Sequence, residues 1–313
     1  MEYNIDTLLN MLSYKRPEGS VEQSHFCDRY LLPVFGEPDS HGNYCITVGD
    51  KPRLSFMAHH DTVHRVGGYQ KPHVKGPIII STSDDCLGAD CTTGVWLILA
   101  MIQAGVEGTY VVHAGEEIGC IGSRAIIDDS PAWLEHTDAC ISFDRRGYDS
   151  IVTHQMGERT ASNAFAVSLN NAIGLNMRPD PTGSYTDSNE YSFSVAECTN
   201  ISVGYKGQHT TNETQDWEFA LVLRDKLLSA DWSRVVIERD CESAWDSYQG
   251  RSSWGADVHD IRQGSIRGDN DDEYQLQLMT DLVIDYPEDV AALLLEYGCD
   301  LSALRDELGI SNF

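Results

Sequence analysis

Short apolar segments alternate with helical segments between residues 54 and 229, and this alternation limits the fold more than any other feature. Segments 54–58 and 139–143 are apolar apart from one serine in each, which is typical of parallel strands buried on both faces. Segment 92–104 is nearly all apolar and is followed by Gly105, as in a buried helix that ends at a glycine. The sequence therefore predicts an α/β fold with a mostly parallel central sheet flanked by helices.

The predicted elements follow from these runs and their glycine, serine and aspartate boundaries. The predicted strands are 43–48, at an edge of the sheet, then 54–58, 77–80, 110–113, 139–143, 150–154 and 200–203. The predicted helices are 6–14, 21–32, 92–104, 121–128, 160–173 and 214–229.

The composition changes after Trp232, where the chain becomes polar and rich in Ser, Asp, Arg and Gly. We therefore predict two parts, a main domain over 1–235 and an appendage over 236–313. The appendage is predicted to be an irregular connection followed by a short helical hairpin, with Pro287 at a first-turn position and a second helix over 301–308. The hairpin either packs on the main domain or forms an oligomer contact.

The net charge of −27, from 22 basic and 49 acidic residues, excludes several classes of partner. Nucleic acids and anionic membrane surfaces both require a basic surface. The chain has no apolar run long enough to span a membrane and no signal-peptide pattern at its start. Nine cysteines without a paired Cys-x-x-Cys motif predict reduced thiols, and hence a cytoplasmic protein.

Carboxylates and imidazoles follow the ends of several predicted strands. Ligands of open α/β sheets bind at the carboxyl ends of strands, so these side chains are expected to meet at one edge of the sheet. They come from five separate segments of the chain, which are His59 with Asp61, Asp90, Glu116 with Glu117, Asp144, and His209.

Two of these histidines and three of these carboxylates are a natural ligand set for two Zn²⁺ ions. Three carboxylates and one bridging hydroxide balance the charge of two divalent ions, which leaves Glu116 as a base for proton transfer. Taken alone, the pair Glu116 and Glu117 is more simply interpreted as a solvated pair on a loop. The other four segments reverse that preference.

The chain resembles the co-catalytic dizinc exopeptidases, the zinc aminopeptidases with their related carboxypeptidases and deacylases. The resemblance covers roughly residues 5 to 230. It rests on five motifs in order, which are His-x-Asp-Thr-Val at 59–63, Gly-Ala-Asp at 88–90, Glu-Glu-Ile-Gly at 116–119, Asp144 after a strand, and Gly-x-His-Thr at 207–210.

The resemblance implies a role for each matched residue. Five residues would bind two Zn²⁺ ions, with Co²⁺ or Mn²⁺ as alternatives: Asp90 bridging both ions, His59 and Asp144 at one, and Glu117 and His209 at the other. Glu116 would be the general base, and Asp61 would orient His59. Tyr185, in a segment similar to the family's active-site turn, would donate a hydrogen bond to the oxyanion.

Cys91 departs from the family pattern, in which a second Asp usually follows the bridging Asp, often across a cis peptide. We expect Cys91 to be a small buried residue beside the site, with a thiol near the metals as the alternative. Arg145, with Arg146, could bind a substrate carboxylate bidentately, or could equally form an ion pair within this acidic protein.

Three further histidines near the motifs, His60, His64 and His113, are expected to support the site or lie at the surface rather than bind metal. Only residues 145–208 separate the last two predicted ligands, and main-sheet elements already use them. We therefore predict no inserted lid domain of the kind that many carboxypeptidase-like and deacylase relatives carry.

Three functions remain open from the sequence. The favoured one is an aminopeptidase acting on short peptides, because the acidic surface would attract a protonated amine. The second is a deacylase or carboxypeptidase acting on N-acyl amino acids or dipeptides with the same chemistry. The third is a catalytically silent binding protein of the same fold.

Overall fold

The structure, a computed structural model, describes residues 2–240. The predicted C-terminal connection and helical hairpin lie outside these residues from position 241 onward.

Strands and helices alternate along the described chain. The strands are β1 (Tyr14–Lys15), β2 (Tyr44–Val48), β3 (Leu54–His59), β4 (Gly68–Tyr69), β5 (His73–Lys75), β6 (Ile78–Ile80), β7 (Gly108–His113), β8 (Ala139–Arg145), β9 (Ser150–Val152), β10 (His154–Gln155), β11 (Glu158–Arg159), β12 (Arg178–Asp180), β13 (Glu197–Ser202), β14 (Tyr205–Lys206) and β15 (Thr214–Asp216). The helices are α1 (Ile5–Met11), α2 (Val21–Phe26), α3 (Leu32–Phe35), α4 (Ala89–Gln103), α5 (Ile121–Asp129), α6 (Asn163–Ile173), α7 (Asp187–Glu190) and α8 (Trp217–Ser229).

A seven-stranded sheet with the order β12-β9-β13-β8-β3-β7-β2 forms the centre of the molecule. Its central strands β13, β8, β3 and β7 are parallel, and β12 is parallel to β9. The pairs β13–β9 and β2–β7 are antiparallel. Strand β2 is the last in the strand order and is therefore the predicted edge strand. The sheet confirms the predicted α/β class and its mostly parallel centre.

Helices cover both faces of this sheet because successive residues of each buried strand point to opposite sides. On β3, Phe56 belongs to the larger core with α4, whereas its neighbour Met57 packs in a second core that includes Ile126 of α5. Helix α4 lies against β3 and β8 and is buried along nearly its whole length, as its apolar sequence predicts.

A second sheet of four antiparallel strands, in the order β14-β15-β6-β5, combines two strands that follow β13 in the chain with two that follow β3. It corrects the predicted helix 214–229, because residues Thr214–Asp216 instead pair with Ile78–Ile80. The helix begins at Trp217, where the side chain of Asp216 accepts a hydrogen bond from the backbone N–H of Phe219 at 2.9 Å.

Other helix predictions had wrong ends, including that of 160–173, which begins at Asn163. The first helix ends at Met11 because Tyr14 and Lys15 pair with β4. The second begins at Val21, capped by Ser20 as the sequence suggests, and continues through a π-helical turn to Phe35.

Residues 145–208 supply β9, β12 and β13 to the central sheet, so within this described segment no separate sheet domain is inserted. Among residues 2–240, none of the helices has the length and apolar character needed to cross a membrane.

Candidate metal centre

The carboxyl ends of β3, β7 and β8 lie side by side at one edge of the central sheet. His59 is the last residue of β3, and its Nε2 atom lies 3.5 Å from Oδ1 of Asp144, near the end of β8. The side chains of His59 and Asp144 are 1% and 8% exposed. These two residues form what we call the inner pair.

Glu117 and His209 form an outer pair, with His209 Nε2 at 3.1 Å from Glu117 Oε2. The His209 side chain is 42% exposed, far more than that of Glu117, at 7%. His209 has a positive φ of 64° in the loop after β14, where Gly207 also has a positive φ. The outer pair therefore opens toward solvent, whereas the inner pair is closed off from it.

The carboxylate of Asp90 lies between the two pairs. Its Oδ1 atom is 3.1 Å from Nε2 of His59, and its Oδ2 atom is 3.3 Å from Nε2 of His209. Each oxygen of one carboxylate thus faces the histidine of a different pair. This is the arrangement that a carboxylate shared by two cations requires.

Glu116 belongs to neither pair, although its Oε2 atom lies 3.8 Å from Nε2 of His59. Burial raises the pKa of Glu116 well above its usual value, and the charges of Glu117 and Asp144 raise it further against the opposing charge of His59. A carboxyl group with a raised pKa beside the cluster is suited to accept and return a proton.

Asp61 connects the two strand ends that carry these residues. One of its oxygens lies 3.3 Å from Nδ1 of His59, and the carboxylate also accepts the backbone N–H groups of Glu116 at 3.2 Å and Glu117 at 3.1 Å. Burial alone would raise the pKa of Asp61, but the hydrogen bond and charge of His59 lower it. Asp61 is therefore an anion that fixes both the His59 ring and the Glu116–Glu117 turn.

Three neighbours fix the position of Asp144. Its backbone N–H donates to Oδ1 of Asn200 at 2.9 Å, and its Oδ2 accepts the Thr186 hydroxyl at 2.8 Å. The Tyr205 hydroxyl donates to the Asp144 backbone carbonyl at 2.7 Å. Burial and the charge of Asp90 raise the pKa of Asp144 to about 7.

Glu213, which the sequence analysis did not single out, holds the Asp90 segment from one side. This 1% exposed carboxylate accepts the backbone N–H of Gly88 at 2.7 Å and that of Asp90 at 3.1 Å. Its only sequence signal is that an acidic residue stands four positions after His209. The Asp90–Cys91 peptide bond is cis.

Arg16, also missed, holds the same segment from the other side. Its guanidinium is completely buried, donating through Nε to the backbone carbonyl of His60 at 2.9 Å and through Nη2 to the Thr92 hydroxyl at 2.9 Å. The Arg16 side chain thus joins the loop of His59 to the loop of Asp90. No sequence motif marks it, because its partners are a carbonyl and a hydroxyl.

The donor atoms fit divalent metal ions. Three overlapping groups have ligand atoms within 4.8 Å of one another: His59, Cys91 and Asp144; His59, Glu116 and Glu117; and Asp90, Glu117 and His209. Oε1 of Glu117 is buried and has no hydrogen-bond partner among the described residues. A buried carboxylate oxygen without a donor suits a metal ligand, since a cation would supply the missing interaction.

Cys91 lies beside the inner pair as a fully buried residue, and its thiol donates to the backbone carbonyl of Phe143 at 3.2 Å.

The other histidines near the motifs have partners away from the cluster. His60 contacts Gln23 and the carbonyl of Gly42, His64 contacts Thr62 and Gln70, and His113 contacts Asp187 and Tyr191.

The structure places the two predicted substrate-binding residues outside the cluster. The Tyr185 hydroxyl donates to Glu190 and lies 3.4 Å from Nη2 of Arg124. Nη2 of Arg145 forms an ion pair with Asp180 at 3.2 Å, which is the alternative that the sequence analysis left open.

Comparison with known families identifies the chain. Residues 44–218 match the sequence model of Peptidase family M28, which is more than half of the chain. The chain belongs to peptidase family M28. This membership confirms the resemblance drawn from the five motifs and the prediction of a zinc-dependent hydrolase. No curated protein sequence matches the chain.

Solved structures with the same fold include several peptidases. The aminopeptidase PepT from Bacillus cereus superposes with a TM-score of 0.59 at 14% identity, covering 72% of this chain and 96% of that one. An aminopeptidase from the archaeon Desulfurococcus kamchatkensis gives a TM-score of 0.58 at 14% identity, covering 81% and 98%. A tripeptidase from Staphylococcus aureus gives 0.58 at 14% identity, covering 72% and 96%. At these identities the similarity establishes the fold alone.

Proposed function

We propose that this member of the M28 family is an aminopeptidase that uses two zinc ions to remove the first residue of short peptides. The observation that carries the proposal is the position of Asp90, whose two carboxylate oxygens face the histidines of separate pairs at 3.1 and 3.3 Å. His59 and Asp144 would hold one ion, Glu117 and His209 the other, and Asp90 both.

When bound, two such ions would lower the pKa of a water molecule and polarise the scissile carbonyl group. Glu116 is the carboxylate left for proton transfer. It takes a proton from the attacking water and gives it to the nitrogen of the leaving amine, for which its raised pKa is favourable. Asp61 keeps His59 and the Glu116 turn in place while these transfers occur.

The preference for a free α-amine has two supports. The net charge of −27 favours the approach of a protonated amine over that of an anionic acyl amino acid. Residues 145–208 contribute three strands to the main sheet and contain no separate sheet domain, which is expected of a compact aminopeptidase rather than a lidded deacylase. The carboxypeptidase alternative drew on Arg145 and Arg146 as partners of a substrate carboxylate, and Asp180 already engages Arg145.

The test is the cleavage of one tripeptide by zinc-loaded protein, in free and N-acetylated forms, with the released amino acid identified by mass spectrometry. We expect release of the first residue and no cleavage after N-acetylation. The Glu116→Gln variant is the matched control, because it should retain metal and lose cleavage. Release of the last residue at an unchanged rate after N-acetylation would overturn the proposal in favour of a carboxypeptidase.

A further inference from the structure

A cationic cavity lies beside the metal centre, at the same edge of the central sheet. Its volume is about 340 Å³, and it is lined by Arg145, Arg146, Gly147, Asp149, Ser150 and Lys206. We propose that this cationic cavity binds the free α-carboxylate of a short peptide and so limits the enzyme to peptides of two or three residues. The inference rests on the aminopeptidase function proposed above.

The topology places the cavity next to the catalytic groups. Arg145 directly follows Asp144 at the carboxyl end of β8, and Lys206 precedes His209 by three residues, just beyond the end of β13. Strand β9 is antiparallel to β13, so its first residue, Ser150, lies at this same edge. A peptide whose first residue lies at the metal centre therefore needs only a short chain to reach the cavity, since an extended residue spans about 3.3–3.6 Å.

The charges of the cavity favour an anion. The chain has 22 basic residues against 49 acidic ones, yet three cations and a single carboxylate line this cavity. That carboxylate, on Asp149, forms an ion pair with Arg178 at 3.1 Å. The groups that line the cavity therefore carry more positive than negative charge, whereas the protein as a whole is acidic.

Lys206 is the cation best placed to receive the substrate. Its side chain is exposed, with Nζ 4.6 Å from the centre of the Tyr148 ring, and it forms no ion pair with a carboxylate of residues 2–240. Arg145 has a different role, because Asp180 and the backbone carbonyl of Thr182 hold its Nη2 atom at 3.2 and 2.9 Å. Arg145 thus forms a fixed wall, while Lys206 provides the charge that receives the substrate carboxylate.

Other anions are less consistent with this arrangement. An acidic side chain within a long peptide would lie at a variable distance from the scissile bond, whereas the α-carboxylate of a dipeptide or tripeptide lies at a fixed and short distance. A hydrogen bond between charged groups contributes about 1.5–3 kcal/mol, which corresponds to a roughly 10- to 100-fold change in binding.

The experiment compares kcat/KM for trialanine, its C-terminal amide, and the amidated peptide Ala-Ala-Glu, using zinc-loaded protein. Wild-type protein should prefer trialanine over both amides by about tenfold or more. Lys206→Met should remove most of that preference, mainly through KM, and Lys206→Arg should retain it. Lys226→Met, which removes a charge from helix α8, is the matched control and should behave as wild type.

A second readout separates binding from turnover. Trialanine and its amide should differ in affinity for zinc-loaded Glu116→Gln protein by calorimetry, and the Lys206→Met change should abolish that difference. Equal cleavage of trialanine and its amide, or a preference unchanged in Lys206→Met, would overturn the carboxylate site while leaving the aminopeptidase intact. Amidated Ala-Ala-Glu cleaved as well as trialanine would also overturn it. Failure of wild-type protein to cleave any of the three peptides would instead count against the aminopeptidase function itself.

Discussion

The inner and outer pairs of the metal centre use similar ligands in different surroundings. His59 and Asp144 lie on strands of the central sheet, and their side chains are 1% and 8% exposed. His209 lies on a loop with a positive φ, and its side chain is 42% exposed. Strand residues fixed by several hydrogen bonds lose little freedom on binding a metal, whereas an exposed loop histidine must be ordered first.

The comparison implies that the two zinc ions of the proposed mechanism would be held unequally. Asp61 fixes the His59 ring, and Asn200 and Thr186 fix Asp144, so the inner pair is organised before an ion arrives. An orienting partner of this kind changes metal affinity by about 10- to 100-fold. We therefore expect a tightly bound inner ion and a readily exchanged outer ion.

The largest expected effect is on turnover, from the residue outside both pairs. Glu116→Gln should lower kcat by about 10³-fold or more while the protein still binds two zinc ions, because proton transfer fails and no ligand is lost. Glu117→Gln is the control and should lose the outer ion. Elemental analysis of the zinc content and steady-state kinetics distinguish the two variants. A zinc-free Glu116→Gln beside a fully loaded Glu117→Gln would reverse the two assignments.

The next prediction compares the two pairs through the effect of each histidine on the free energy of unfolding. His59→Ala leaves the buried carboxylates near it without their main cationic partner, so it should lower the unfolding free energy by about 3 kcal/mol and lose inner zinc. His209→Ala removes an exposed imidazole and should lose one zinc ion with little change in the stability of the metal-free protein. Denaturant unfolding and zinc titration give both values. Equal destabilisation by the two changes would contradict the comparison.

A smaller effect is expected from the buried cation behind the inner pair. Arg16→Met breaks the contacts with the His60 carbonyl and the Thr92 hydroxyl, so it should weaken zinc binding by about tenfold. Arg239→Met is matched to it, since Arg239 also donates to backbone carbonyls, at Ser192 and Ala196, but away from the metal centre. Zinc competition with a chelator should distinguish the two variants. The prediction fails if both lose the same affinity.

The smallest predicted effect is a pH dependence of stabilisation by zinc. Burial raises the pKa of Asp144 and of Glu213 to about 7 in each case. A carboxyl group with a raised folded-state pKa stabilises the fold below its unfolded pKa, and that contribution disappears as the pH rises to about 7. Zinc favours the ionised form of Asp144, so the increase in Tm on adding zinc should be larger at pH 8 than at pH 5, by about 5 °C. Calorimetric scans with and without zinc measure this increase in Tm at each pH. An increase in Tm that does not depend on pH would contradict the prediction.

The sequence predicted the candidate site residues that follow strands better than the residues that hold them in place. His59, Glu116 and Asp144 follow apolar runs long enough to identify as strands, and parallel strands bring their carboxyl ends together. Glu213 and Arg16 could not be found this way, because both act through backbone groups of residues far away in the chain. Such contacts depend on how loops pack, which short-range patterns do not encode.

The same limit explains the errors in the fold. The central strands and α4 have strong local patterns and were predicted at the right places in the chain, although β13 begins at Glu197 rather than at residue 200. Residues Thr214–Asp216 were assigned to a helix because their pairing partner, β6, is distant in sequence. Tertiary pairing overrode local preference there.

The most direct test of the account is X-ray diffraction at the zinc absorption edge from crystals of the zinc-loaded protein, before and after brief exposure to a chelator. The account predicts two anomalous peaks on either side of the Asp90 carboxylate, one at His59 and Asp144 and the other at Glu117 and His209, with the second peak weakened first by the chelator. A single peak, or two peaks that do not share Asp90, would contradict it.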